Sequence, residues 1–195
     1  GMPVYNFVVV VDDIFMEITH VVRGEDHISN TPKQILIYKA LGAQLPQFAH
    51  LPLILGPSGA PLSKRDGSTS IDEYRDEGFL PEALFNYLVR LGWSHGDQEV
   101  FSKEEMISYF ALGDIQKKGA VFDKKKLLWL NNVYLRDTSN SRLLELLVPV
   151  KQGSLARQIA SVWGNEAALS LIDIYKSRAK TLVEMAQGII DLADD

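Results

Sequence analysis

Two short segments carry side chains suited to phosphates and carboxylates: Arg23-Gly24-Glu25-Asp26-His27 and, further on, Leu62-Ser63-Lys64-Arg65-Asp66-Gly67. The second lies between Gly56-Pro57-Ser58-Gly59-Ala60-Pro61 and Gly67, residues that read as a movable turn rather than a helix. Attack on an α-phosphate gathers negative charge on the phosphoryl and pyrophosphate oxygens. Donors that meet this charge in the transition state speed the step, and losing one typically costs roughly 2.7–4 kcal/mol. Lys64 and Ser63 are donors of that type, and Arg65 adds a second cation. In the first segment, Arg23 offers a planar fork that matches a carboxylate with two parallel hydrogen bonds, each worth about 1.5–3 kcal/mol. The pair is suited to holding an acidic small molecule beside a nucleoside triphosphate. Plainer readings stand next to these: a solvated charged loop at residues 63–67, and a weak ion pair from Arg23 to Glu25 or Asp26.

These residues need elements to hold them. Residues 4–11 are rich in valine and alternate little, which predicts a strand buried on both faces of a parallel sheet. Thr19–Arg23 predicts a second strand and Leu51–Leu55 a third, delivering the turn. Between them, Asn30 or Thr31 followed by Pro32 predicts a capped helix start, with the helix running through Gln34–Leu41 to Gly42. Strand, helix, strand and turn in this order fit the second half of a doubly wound nucleotide-binding fold, whose ligands lie beyond the carboxyl ends of the strands.

Composition sets outer limits. The 195 residues, 46% of them hydrophobic, suffice for one large or two modest cores. There is no cysteine, so disulfide and thiolate chemistry are excluded. The four histidines, at positions 20, 27, 50 and 95, form no close ligand cluster, and no metal site is expected in the chain itself. A net charge of −5 argues against a general nucleic-acid binder, DNA included, though a local basic face remains open. The longest apolar run, near Phe7–Val11, is too short for a membrane span, and no secretory leader is visible, so a cytoplasmic location is expected.

The stretch from Thr19 to Gln34 resembles bacterial glutamyl-tRNA synthetases, and Ser63-Lys64-Arg65 resembles that family's form of the class I "KMSKS" loop. The likeness continues through Phe48–Leu55, Glu77–Leu84, Asn86-Tyr87-Leu88 and Val121-Phe122-Asp123, covering at least residues 3 to 136. It implies that Tyr5 and Arg23 contact L-glutamate, that Asp26 and Ile54 lie at the ATP site, and that Ser63, Lys64 and Arg65 close over the ATP phosphates. It also implies Mg2+ accompanying ATP, and tRNA as the acceptor of the glutamyl group. Taken without it, Tyr5 reads as a half-buried strand aromatic. Two departures stand out. Pro61 holds a place where many members carry lysine, and Asp66 sets a carboxylate near the phosphates.

The H-x-G-H signature that class I synthetases pair with this loop occurs nowhere in the chain. The chain is therefore expected to be a fragment of a larger, monomeric enzyme, inactive alone in amino-acid activation. A sheet edge without its neighbours invites pairing with a second copy. Three other readings stand beside this one: a free-standing RNA-binding or interaction module, which a native start at Met2 would favour; the shortened paralogue that modifies a tRNA base, against which the long stretch after Gly67 argues; and a glutaminyl-tRNA synthetase, disfavoured because Arg23-Gly24-Glu25-Asp26-His27 resembles the glutamate branch.

After the loop the pattern turns helical, so the expected class is α/β followed by all-α. By resemblance, residues 1–68 are the back half of a Rossmann-type catalytic domain, 69–140 a stem-contact domain, and 141–195 the start of a helical anticodon-binding domain. Ser70-x-x-Glu73 and Ser102-x-x-Glu105 are capping boxes. Pro81 opens a helix with the stripe Ala83, Leu84, Tyr87, Leu88 and Leu91, stopped at Gly92. From Lys176 to Asp195, residues Ala179, Leu182, Val183, Ala186, Ile189, Ile190 and Ala193 recur at helical spacing. Trp93, Trp129 and Trp163 read as core rather than base-stacking platforms. Asp123 is a natural N-cap, yet Lys124, Lys125 and Lys126 crowd the following turn, where the helix dipole disfavours each cation by about 0.3–1 kcal/mol. With Lys117 and Lys118, these lysines either meet tRNA phosphates or form a merely solvated face.

Overall fold

The structure, a computed structural model, describes residues 4–62 and 70–192. Its first part is a two-stranded parallel sheet with helices against it. Strand β1 (His20–Gly24) pairs with β2 (Gln47–Leu51) in the register Val21↔Phe48 and Arg23↔His50. A 3-10 turn (Glu25–Asn30) and helix α2 (Thr31–Ala40) make the crossover that parallel pairing requires. Gly42, at φ +66°, ends the helix in the left-handed conformation. Asn30 precedes α2 without a side-chain cap, its amide lying instead 3.2 Å from His27 Nδ1.

Within the stretch 4–11, residues 5–11 are helical, not extended: α1 spans Tyr5–Phe15 and packs on α2. A short valine run is compatible with a buried strand or a buried helix, and tertiary packing decides between them. Here Val10 is fully buried, and Asp13 accepts a hydrogen bond from the Tyr38 hydroxyl at 3.2 Å. Burial first, then the Asp13 charge and hydrogen bond, push the Tyr38 hydroxyl up to about 12, so it stays a donor. The predicted strand Leu51–Leu55 is displaced as well. Pro52 has no N–H for the ladder, so β2 stops at Leu51. The Leu53 N–H beyond it is taken by Glu25 Oε1 at 3.2 Å.

The rest of the described chain is helical: α3 (Ile71–Asp76), α4 (Pro81–Gly92), α5 (Lys103–Tyr109), α6 (Lys124–Asp137), α7 (Asn140–Leu147), α8 (Ser154–Tyr175, broken at Gly164) and α9 (Leu182–Asp191). Both capping boxes form, from Ser70 with Glu73 and from Ser102 with Glu105. One core joins Leu80 and Ala83 to Leu135, Leu143, Ile159, Ile172, Met185 and Ile189, and a second gathers Tyr74, Phe79, Leu84, Tyr87, Leu127 and Leu130. Leu88, expected on the α4 stripe, is 39% exposed. Trp93 is buried, and Trp163 is partly buried with its Nε1 donating to the Ile189 carbonyl. Trp129 contradicts the core reading: at 47% exposure it lies off the α6 face formed by Leu127, Leu130, Asn131 and Leu135. The helix expected from Lys176 onward starts only at Leu182, because Thr181 caps it by accepting from Glu184 N; Ala193 lies outside the described residues.

Buried polar groups lock these helices together. Asn131 takes Leu80 N–H on Oδ1 at 2.8 Å and donates to Lys180 O at 2.6 Å, while Asn132 donates to Ala179 O at 2.6 Å. The first turn of α6 is stabilised against its own lysines. Lys124 reaches Glu77 at 2.8 Å, and Lys126 reaches Glu99 at 2.8 Å. Arg90 also grips Glu99, with Nη2 at 3.0 Å from Oε1 and Nε at 3.3 Å from Oε2.

Gly78 sits at φ +86°, and its carbonyl accepts Leu182 N–H at 2.8 Å. A Cβ there would lie 2.6 Å from Val183 N. Gly78→Ala should therefore lower unfolding free energy by about 1–3 kcal/mol from backbone strain alone, with the clash adding to it; an unchanged urea midpoint would contradict this docking. Glu99 yields a pH test. Burial works to raise its carboxyl, but hydrogen bonds from Arg90 and Lys126, with their charges, outweigh burial and hold it below the usual 4.5. A carboxyl lowered in the folded state stabilises above its unfolded value, and the benefit fades as pH falls through the folded one. Glu99→Gln should cost roughly 1 kcal/mol at pH 7, and urea titrations should show the gap closing as the pH drops below 4.5.

Candidate functional site

The carboxyl ends of β1 and β2, the 3-10 turn and the first turns of α1 and α2 converge on Arg23. Its register opposite His50 places it on the sheet face that also carries Phe48, and the guanidinium lies 5.6 Å from the Phe48 ring centroid. Its Nη2 donates to Thr31 Oγ1 and to Gln34 Oε1, both at 2.8 Å. Gln34, itself buried, donates through Nε2 to Asn6 Oδ1 at 3.1 Å, and Thr31 Oγ1 lies 2.9 Å from His50 Nε2. Neither ion pair expected of Arg23 forms. Glu25 is turned to Leu53 N, and Asp26 Oδ2 lies 3.6 Å from His27 Nε2. Among the described residues no carboxylate pairs with Arg23, and its Nε is buried without a hydrogen-bond partner. A half-buried guanidinium with spare donors and no counter-ion among the described residues is suited to an anion by elementary electrostatics.

Tyr5 opens α1 and is 53% exposed, with its ring centroid 6.2 Å from that of His27. It is thus no strand aromatic; it stands beside the 3-10 turn with its hydroxyl uncommitted among the described residues. Asp26 is exposed on the same turn. A β-carbon on Gly24 would collide with Asp26 Oδ1, so glycine lets the Asp26 side chain fold back over β1.

Ser63, Lys64 and Arg65 lie outside the described residues, but the stem that carries them does not. Gly56 N–H donates to Ala60 O and Leu62 N–H to Ile54 O, both at 2.8 Å, closing a hairpin-like turn. Leu55 bridges Pro61 on one side and Val121 on the other, with Leu55 N–H to Ala120 O at 2.9 Å and Phe122 N–H to Leu55 O at 2.8 Å. Ile54 is half-buried and lines an apolar cleft of about 490 Å³ with Gly24, Leu62, Tyr74 and Phe122. Tyr5, Arg23 and Asp26 do not line that cleft. Gly24, which ends β1 next to Arg23, is one of the residues that line the cleft.

Sequence reasoning missed Asn6, Thr31, Gln34 and His50 as supports of Arg23. Polar residues on a helix read as solvent-facing until the crossover is known to fold them over the strand. It also missed the segment 120–122, too short to read as a strand. The five lysines are not equivalent. Lys124 and Lys126 are held by Glu77 and Glu99, whereas Lys117, Lys118 and Lys125 make no ion pair among the described residues.

Comparisons with known proteins bear on the family and the fold. Residues 1–129 match the family model for tRNA synthetases class I (E and Q), catalytic domain. A glutamate–tRNA ligase of Syntrophobacter fumaroxidans is 56% identical over 187 residues, which are 96% of this chain and 39% of that protein. A glutamate–tRNA ligase of Geobacter sulfurreducens is 50% identical over 190 residues, 97% of this chain and 40% of that protein. A crystal structure of a glutamate tRNA ligase from Elizabethkingia meningosepticum, in complex with its amino acid, superposes with a TM-score of 0.78 at 36% identity, over 96% of this chain and 40% of that one. The chain thus spans about 40% of the length of the relatives it matches.

Proposed function

The chain belongs to the class I tRNA synthetases (E and Q), and from that premise we propose that it supplies the glutamate-holding and loop-bearing part of a glutamate–tRNA ligase. The carrying observation is Arg23, half-buried at the strand ends with its charge unpaired among the described residues. In this reading Arg23 takes a carboxylate of L-glutamate, and Tyr5 donates its hydroxyl to the same ligand. Asp26 and the backbone around Ile54 flank ATP, while Ser63, Lys64 and Arg65 close over its phosphates. Mg2+ comes with the ATP oxygens, the hard ligands it prefers. The activated glutamyl group then passes to the 3′-terminal ribose of tRNA. Residues 1–68 serve the chemistry, 69–140 face the tRNA stem, and 141–195 begin the anticodon-binding region, all in a soluble cytoplasmic enzyme. Among the described residues no helix is long and apolar enough to cross a membrane.

Activation needs the H-x-G-H signature, which the chain does not contain. Isotope exchange between pyrophosphate and ATP tests the reading. A polypeptide joining this chain to an H-x-G-H-bearing half should exchange with L-glutamate and not L-glutamine, and Lys64→Ala should slow it about 100–1,000-fold. The isolated chain should give none. Exchange by the isolated chain, or none with glutamate in the joined polypeptide, would overturn the proposal.

On the tRNA side the ion pairs of Lys124 and Lys126 support a narrower choice. Lys117, Lys118 and Lys125 keep free ammonium groups among the described residues, so each of their Gln variants should weaken tRNA binding and flatten the salt dependence by roughly 0.7–0.9 in log–log slope. Lys124→Gln and Lys126→Gln should leave that slope unchanged. Equal effects from all five would show that Glu77 and Glu99 do not hold their lysines when tRNA is bound.

A further inference from the structure

We infer that Gln34 sets the charge preference of the Arg23 site: it is a positioning residue that holds the guanidinium with a neutral oxygen, so that the positive charge is left for an anionic ligand. The inference rests on the reading of Arg23 as the glutamate anchor and adds the residue that keeps it selective.

Gln34 is 1% exposed, on the inward side of α2. A guanidinium only donates, so Gln34 must present Oε1 to Arg23 Nη2, and its Nε2 must then face Asn6 Oδ1. The amide orientation is set at both ends by chemistry. Thr31 Oγ1 takes the other Nη2 hydrogen. Both hydrogens of that nitrogen therefore end on uncharged oxygens, while Nη1 and Nε make no hydrogen bond among the described residues. A glutamate at position 34 would have nearly the same shape and would meet the same Nη2. Asn6 would need only to turn its amide and donate. Such a carboxylate would be a built-in counter-ion and would occupy the charge a ligand must find. With the amide in place, a ligand carboxylate neutralises a half-buried cation, and a ligand that is itself a neutral amide leaves it uncompensated. The site thus favours glutamate over glutamine through the neutrality of its support.

The test uses sign. In the 195-residue chain, Gln34→Glu should raise the melting midpoint by about 2–4 °C, because it pairs an unpaired charge, and the gain should vanish in an Arg23→Met background. A residue that merely fills space would lose stability on acquiring a buried charge, so an equal fall in both backgrounds would overturn the inference whatever the ligand. In a complete ligase bearing this segment, the same substitution should raise KM for L-glutamate at least tenfold and leave KM for ATP unchanged. Stabilisation of the chain with an unaltered KM for glutamate would overturn the assignment of glutamate to Arg23, and with it the selective role of Gln34.

Discussion

Parallel pairing of His20–Gly24 with Gln47–Leu51 is the constraint from which the site follows, because parallel strands oblige the chain to cross over before the second strand can form. The crossover is α2, and its first turns bring Thr31 and Gln34 back over the strand that has just ended. Register matters as much as direction. With Arg23 opposite His50 and Val21 opposite Phe48, the guanidinium shares a sheet face with the aromatic ring it overlies. A slip of one residue would turn Arg23 to the other face and remove it from Thr31, Gln34 and Phe48 together.

The helical remainder solves a different problem, that of holding many short helices with little sheet to anchor them. Its answer is buried amides. Asn86 Oδ1 accepts Phe101 N–H at 2.7 Å and lies 2.8 Å from the Tyr134 hydroxyl, while its Nδ2 donates to Glu99 O. Asn131 and Asn132 do the same for the turn before α9. Tyr87 accepts Asp123 N–H at 2.6 Å, and its hydroxyl, pushed up to about 12 chiefly by burial, stays protonated and donates to Asp123 O. Fully partnered polar groups of this kind select one packing arrangement where apolar surfaces alone would tolerate several.

Legibility followed locality. Capping boxes at Ser70 and Ser102, the Pro81 start and the Asp123 cap were readable because each signal lies within a few residues of the structure it dictates. The Thr181 cap carried a comparable signal that apolar periodicity overrode. Residues 4–11 misled because valine serves a buried helix as well as a buried strand, and only the polar contacts of Asn6 and Asp13 with α2 reveal which is present. In the site, Arg23 stood out by type and by resemblance. Its supports did not, since Thr31 and Gln34 reach it only through the crossover, and Asn6 and His50 back those two in turn. The lysines of α6 were legible as a charge run, but their partners Glu77 and Glu99 are distant in sequence.

The bridges from Leu55 to Pro61 and to Val121 tie the stem of the loop to a segment that emerges much later from the ribosome. The turn at residues 56–60 can close locally, but the Leu55 N–H and C=O find their partners only once Ala120 and Phe122 have been made. Closing so long an interval costs entropy that only later contacts return. During synthesis, the chain that forms α3 to α5 must therefore have been made before this short ladder is complete. The loop-bearing stem matures as a late joint of the fold, welded from both directions at a single residue.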